Sequence, residues 1–221
     1  MPEEDVASVE ARGKAEDRKV TFGRRPALLV VDMTRAFVEE AYPTSCAQWG
    51  GSVATAQCVG VLEAARRYSS PVFFTRLLDN GAGLNARAAE QGRSGMDHPD
   101  LLDTPAGLPD GNAIAGQLTP RDDEIVFGKP KASAFFGTPL DAYLMYYSVD
   151  TVVVIGMVTS GCVRATVVDA YMRNLHVLVP HPCVADYSWF QHRAALFDMH
   201  FKYADVCEVA DVEQCFAASA R

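Results

Sequence analysis

A chain of 221 residues, 49% of them hydrophobic, is long enough to bury a full core and suits a single domain. Twenty Lys and Arg against 28 Asp and Glu leave a net charge of −8 with no basic patch, which argues against nucleic acid and against anionic membrane surfaces as partners. No apolar run approaches the roughly 20 residues of a membrane span, and the charged N-terminus lacks the apolar stretch of a signal peptide, so a cytoplasmic address is expected.

Residues 1–20 read as a charged arm, and residues 21–221 as one globular domain. PALLVVDM (Pro26–Met33) is a short continuous apolar run, the signature of a strand buried on both faces. Apolar positions at helical spacing follow from about Ser52 to Tyr68, and PVFFTRLL (Pro71–Leu78) is the next strand. The long Gly/Pro/Asn/Asp-rich segment Asp79–Pro120 reads as a functional or interfacial loop. DEIVFGK (Asp123–Lys129) is a third strand, PLDAYLMYYSV (Pro139–Val149) a short helix, and DTVVVIG (Asp150–Gly156) a fourth strand. A helix is expected over Cys162–Asn174, a fifth strand at HVLVP (His176–Pro180), a helix over roughly Ser188–Tyr203, and a last edge strand at ADVCEV. Strands alternating with helices predict βαβ units, hence a three-layer, Rossmann-like α/β sandwich around a mostly parallel sheet.

None of the six cysteines forms a CxxC pair, and the five histidines are scattered, so free thiols are expected and no metal or cofactor. In open α/β sheets ligands lie beyond the carboxyl ends of the strands. Asp32 ends the first strand, Arg76 comes at the end of the second, Lys129 ends the third, and Cys162 follows the fourth after the turn GMVTSG. Each has an ordinary structural reading: Cys162 as a small buried hydrophobe, Asp32 as a helix cap, Lys129 as a solvated loop residue. Each also has a chemical one. Cys162 in the first turn of a helix has a thiolate-favouring dipole, Asp32 is placed to act as its base, and Lys129 would favour both anions and lower the thiol pKa. His192 and His200, on the late helix, read as surface or capping residues.

Three motifs carry a family resemblance: ALLVVDMTRAF with Asp32, VFGKPKASAFFGTPL with Lys129, and GMVTSGCVRATVVDA with Cys162. With NLHVLVPHPCVAD and LFDMHFKYADV, they make the chain from about Phe22 to Val209 similar to the isochorismatase-like cysteine hydrolases, especially the N-carbamoylsarcosine amidase branch. That resemblance implies a catalytic Asp32–Lys129–Cys162 triad, in which the thiol attacks an amide or carbamoyl carbon and ammonia leaves. It implies a cis peptide at Val158–Thr159, with the turn Val158, Thr159 and Cys162 serving as the oxyanion hole. It further implies a homodimer or homotetramer. The Asp-x-His metal motif of nicotinamidases has no counterpart here, which disfavours a metal and nicotinamide. Where carbamoylsarcosine-type relatives are expected to carry a basic residue after the Asp of VAD, this chain has Tyr187. Arg76 and Arg164 are candidate carboxylate partners, and Phe37 and Phe135 candidate apolar walls. The small-molecule substrate is thus an N-carbamoylsarcosine-like amide, with maleamate-type and biuret- or ureido-type compounds as alternatives. A nucleotide-binding or non-catalytic Rossmann-like module is the competing class, although no G-x-G-x-x-G turn is present.

Overall fold

The computed structural model describes residues 19–78 and 104–219. Nearly all of the N-terminal arm, residues 79–103 of the Gly/Pro-rich segment, and His98 lie outside the described residues. Strand β1 (Pro26–Val31) is buried at all six positions, and a polar residue there would find no water on either face. After it come a one-turn helix α1 (Arg35–Val38), helix α2 (Gly51–Arg67), β2 (Val72–Leu77) and β3 (Ile125–Lys129). Helix α3 (Leu140–Tyr146) leads into β4 (Thr151–Met157), which is buried at all seven positions. A π-helical turn (Thr159–Val163) opens α4 (Arg164–Tyr171), followed by β5 (His176–Pro180), the two-residue β6 (Val184–Ala185), α5 (Trp189–Lys202), β7 (Asp205–Cys207) and α6 (Val209–Ser219).

The seven strands form one sheet in the order β3-β2-β1-β4-β5-β7, with β6 pairing with β4, and every named pairing is parallel. Alternate residues of β1 serve opposite layers. Leu28 and Val30 pack with Val61 and Leu62 of α2 and Val212 and Phe216 of α6. Ala27, Leu29 and Val31 pack with Leu140 of α3, Val167 of α4 and Met199 of α5. The architecture is the expected three-layer α/β sandwich. No described helix is long and apolar enough to cross a membrane.

Three elements differ from expectation. Helix α6 extends beyond the predicted edge strand, where Val212, Cys215 and Phe216 are its buried face. The predicted strand ADVCEV shrinks to β7, which is the sheet's edge. Strand β6, only two residues long, is too short to carry a periodic signal.

The strand order positions the site. From β1 the sheet grows through β2 and β3 on one side and through β4, β5 and β7 on the other. The crevice at this reversal lies beyond the carboxyl ends of β1 and β4, which pair from Pro26–Thr151 to Val31–Gly156. Gly156 is required there. Its φ is +124°, and a β-carbon would collide with the Val31 carbonyl oxygen of the neighbouring strand.

Candidate active site

Three strand ends converge on one point. Asp32 directly follows β1 with φ of 49°, a left-handed conformation unusual for a residue with a β-carbon. Lys129 closes β3, and Cys162 lies in the π-helical turn after β4. The Lys129 Nζ is 2.8 Å from Asp32 Oδ2 and 2.6 Å from Cys162 Sγ, to which it donates. The Cys162 thiol donates to the same Asp32 Oδ2 at 2.7 Å. All three are shut away from solvent: Asp32 and Cys162 are 0% exposed and Lys129 is 1%. A buried ion pair is tolerated only when its remaining valences are filled. Here Lys129 also donates to the Lys131 carbonyl at 3.0 Å, and the Thr75 hydroxyl donates to Asp32 Oδ1 at 2.7 Å. Thr75 in turn accepts the Asp32 backbone N–H at 3.1 Å, so one side chain of β2 fixes both the backbone and the carboxylate of Asp32.

The electrostatics assign protons. Burial works against a charged Lys129, but the negative charge of Asp32 and the contact with Cys162 outweigh it and raise its pKa. The ammonium is therefore retained. Burial also pushes the Cys162 thiol well above its ordinary value, Asp32 adds to that rise, and Lys129 opposes it. This corrects the expectation of a lowered thiol pKa. In a site without water, a second anion beside Asp32 costs more than Lys129 returns, so the resting group is a thiol hydrogen-bonded to a carboxylate. The predicted helix start is corrected as well. The α-helix begins at Arg164, and Cys162 belongs to the wider turn before it, where Gly161 N–H and Val163 N–H both reach the Val158 carbonyl, at 3.1 and 3.2 Å.

The cis peptide lies at Met157–Val158, one residue before the expected Val158–Thr159. Strand β4 runs to Met157, which still pairs with Ala185, and the chain leaves the sheet at the very next peptide. Val158 and Thr159 thus form the start of the turn, with Thr159 fully buried. Asp186 holds this turn from outside: its carboxylate accepts Ser160 N–H at 2.6 Å and Tyr187 N–H at 2.8 Å.

Of the other candidate residues, Tyr187 is the one placed beside the triad. Its phenol is pushed up first by burial, with the Asp186 charge adding to the rise, and its hydroxyl donates to the Thr44 carbonyl at 2.8 Å. Arg76 sits elsewhere. Thr75 turns toward Asp32, so the next residue of the strand faces the opposite side, and Arg76 is exposed. Arg164 is engaged by Asp198 of α5, to which it donates at 2.5 and 3.1 Å. Phe37 is a core residue whose carbonyl accepts the Cys46 N–H at 3.0 Å. Phe135 is buried under the Arg173 guanidinium, 4.3 Å above its ring. Two residues of the site were not anticipated. Thr75 sits mid-strand in an apolar run, where a threonine normally signals only β-propensity. His192, whose Nδ1 lies 2.8 Å from Thr159 Oγ1, reaches the turn from a helix distant in sequence.

All six cysteines are free and buried. Among the described residues, no three His, Cys, Asp or Glu side chains cluster where they could hold a metal ion.

Comparison with known proteins bears on this geometry. The isochorismatase domain family matches residues 26–213. The chain is 34% identical over 197 residues to a maleamate amidohydrolase of Pseudomonas putida, an alignment covering 89% of each protein. It is 29% identical over 201 residues to an N-carbamoylsarcosine amidase of an Arthrobacter species, covering 89% of this chain and 73% of that one. A cysteine hydrolase structure from Pseudomonas syringae pv. phaseolicola superposes with a TM-score of 0.77 at 22% identity, covering 91% of this chain and 97% of that one, which is a likeness of fold.

Proposed function

Because the chain belongs to the isochorismatase family, we propose that it is a cysteine-dependent amidohydrolase cleaving the C–N bond of a small linear carbamoyl or carboxamide compound. The observation that carries this reading is the mutual contact of the buried Cys162, Asp32 and Lys129 at the sheet's switch point. The names of the two relatives, maleamate amidohydrolase and N-carbamoylsarcosine amidase, support the substrate class.

The chemistry follows from the protons. As Cys162 Sγ bonds to the substrate's carbonyl carbon, its proton passes along the 2.7 Å contact to Asp32, so a free thiolate is never required. The carbonyl oxygen becomes an oxyanion as the C–S bond forms. The tetrahedral adduct collapses when its C–N bond breaks. Asp32 returns the proton to the departing nitrogen, which leaves as ammonia, and an acyl thioester remains on Cys162. Water then adds to the thioester, giving its proton to Asp32. The C–S bond breaks, the acid is released, and the thiol regains its proton. Lys129 stays an ammonium throughout and holds Asp32 and the sulfur against each other when negative charge moves between them.

The test is ammonia release over a panel of N-carbamoyl amino acids, maleamate, ureido compounds and simple carboxamides. Cys162→Ala and Asp32→Asn should each abolish the activity found, while both proteins remain folded. Ammonia release that survives Cys162→Ala would sink the reading. Tyr187, in place of a basic residue, favours a substrate whose far end is neutral, and the ureido and simple carboxamide members of the panel test this.

A further inference from the structure

The segment after β6 reaches back over the turn that carries Cys162 and grips it at two points. Asp186 takes the Ser160 N–H, and His192, in the first turn of α5, meets the Thr159 hydroxyl across 2.8 Å. Thr159 is 0% exposed, so bulk solvent does not reach its hydroxyl. A buried hydroxyl proton without an acceptor is costly. The proton finds one if Nδ1 of His192 carries a lone pair, which places the imidazole's own proton on Nε2. The ring is held in that orientation by Trp189, packed edge-on with centroids 5.7 Å apart.

We propose that His192 is a positioning residue for the hydrolysis: through Thr159 Oγ1 it fixes the turn from which Cys162 attacks, and it makes that turn sensitive to acid. The inference rests on the reading of the site as a cysteine amidohydrolase. His192 touches neither the thiol nor its base, so it acts through the geometry of Val158 to Cys162.

The acid sensitivity follows from the direction of one hydrogen bond. With its proton on Nε2, the tautomer inferred above, a neutral imidazole accepts at Nδ1, whereas a protonated one can only donate there. Protonation therefore turns the Thr159 hydroxyl away from its partner in a place without water. Burial holds the imidazole below its ordinary pKa, Asp186 opposes this, and His181 adds to it. Of the other charged groups on α5, Arg193 follows His192 in the chain, and Asp198 is paired to Lys202 and to Arg164 of α4. The neutral ring thus prevails at neutral pH, and on the acid side the contact reverses and leaves the Thr159 hydroxyl proton without its acceptor.

The experiment compares wild type with His192→Ala, His192→Asn, Thr159→Val and the His192→Ala/Thr159→Val double variant, all in the full chain. Steady-state ammonia release is measured across pH on the best substrate of the panel. His192→Ala is expected to lower kcat about ten-fold, with KM within two-fold. Asn presents a non-titrating polar atom near the Nδ1 position, so His192→Asn should restore most of kcat while moving the acid limb of the profile. Thr159→Val should match His192→Ala, and the double variant should be no worse than either, since both remove one contact. A substrate-free readout accompanies these assays. Alkylation of the buried Cys162 by iodoacetamide should be severalfold faster in His192→Ala and Thr159→Val than in wild type. Wild-type kcat, acid limb and alkylation rate in His192→Ala, alongside a dead Cys162→Ala, overturn the inference alone. An active Cys162→Ala overturns the amidohydrolase reading and the inference with it.

Discussion

Replacing Thr75 with valine keeps the volume and β-branching of the side chain but removes its hydroxyl. Thr75 is fully buried on β2 and makes two hydrogen bonds to one residue: it donates to Asp32 Oδ1 at 2.7 Å and accepts the Asp32 N–H at 3.1 Å. The first is a bond to a charged acceptor, worth about 1.5–3 kcal/mol, and the second leaves a buried N–H without a partner at about 1–3 kcal/mol. Because valine creates no cavity, the loss should be close to the sum of these contributions, about 2.5–6 kcal/mol by urea denaturation at neutral pH. The carboxylate would still be held by Lys129 on its other oxygen, so the protein should fold. It would, however, lose the tether that sets the angle of Oδ2 toward the thiol. A misplacement of well under 1 Å at a proton-transfer contact should cost roughly 10- to 100-fold in kcat. Thr75→Ser separates the two effects. It keeps the hydroxyl, loses one buried methyl at about 1 kcal/mol, and should retain most of its activity. A Thr75→Val protein within 0.5 kcal/mol of wild type and with full kcat would refute the view that β2 orients the base.

Gly156→Ala should fail to accumulate as folded protein, because its φ of +124° and the closeness of the Val31 carbonyl oxygen both exclude a β-carbon at the β1–β4 pair. Soluble Gly156→Ala with a melting temperature near that of wild type would contradict this packing. Glu124→Gln tests the clasp between α2 and the loop before β3, where Arg66 donates to both Glu124 oxygens at 2.8 Å. Burial raises the Glu124 pKa, but Arg66, the Arg121 N–H and their charges outweigh it and leave the carboxyl below its ordinary value of 4.5. A depressed carboxylate contributes stability that is present above its unfolded pKa and is lost as pH falls through the folded one. Wild type should therefore lose more stability than Glu124→Gln below about pH 4.5, after a neutral-pH deficit of about 2 kcal/mol in the variant. Parallel stability–pH curves for the two would contradict it.

The sheet was legible in the sequence because its central strands, β1 and β4, are buried on both faces. ALLVV and VVVI have no polar alternative, and βαβ order then fixes a parallel arrangement. Asp32, Lys129 and Cys162 were legible because each lies at or just beyond the carboxyl end of an apolar run. Helix α6 was obscured by its neighbour: the apolar residues of ADVCEV suit a strand, and that reading ended the pattern before Val212 and Phe216 could extend it into a helix. The substrate candidates misled where side-chain direction decides. Arg76 lies one residue from Thr75, and the period of two in a strand puts one on the carboxylate and the other in solvent.

What sequence could not supply is the layer that supports the three reacting groups. Thr75, Asp186 and His192 are ordinary for their elements: a threonine in a strand, an acid before a helix, a histidine on its first turn. Their importance comes from long-range partners, 43 positions away for Thr75 and Asp32, 26 for Asp186 and Ser160, and 33 for His192 and Thr159. Each fills a valence that burial would otherwise leave empty. This is why a site so thoroughly desolvated can exist at all. Removing water strengthens the Asp32–Lys129–Cys162 contacts, but it makes every unpaired polar atom nearby expensive. On the proposed chemistry the support residues follow from the reaction: a buried thiol that passes its proton to a carboxylate requires neighbours that satisfy the turn and the base without competing for that proton. Thr75 donates to the carboxylate oxygen the thiol does not use, and His192 reaches the turn through the Thr159 hydroxyl, so both meet that condition.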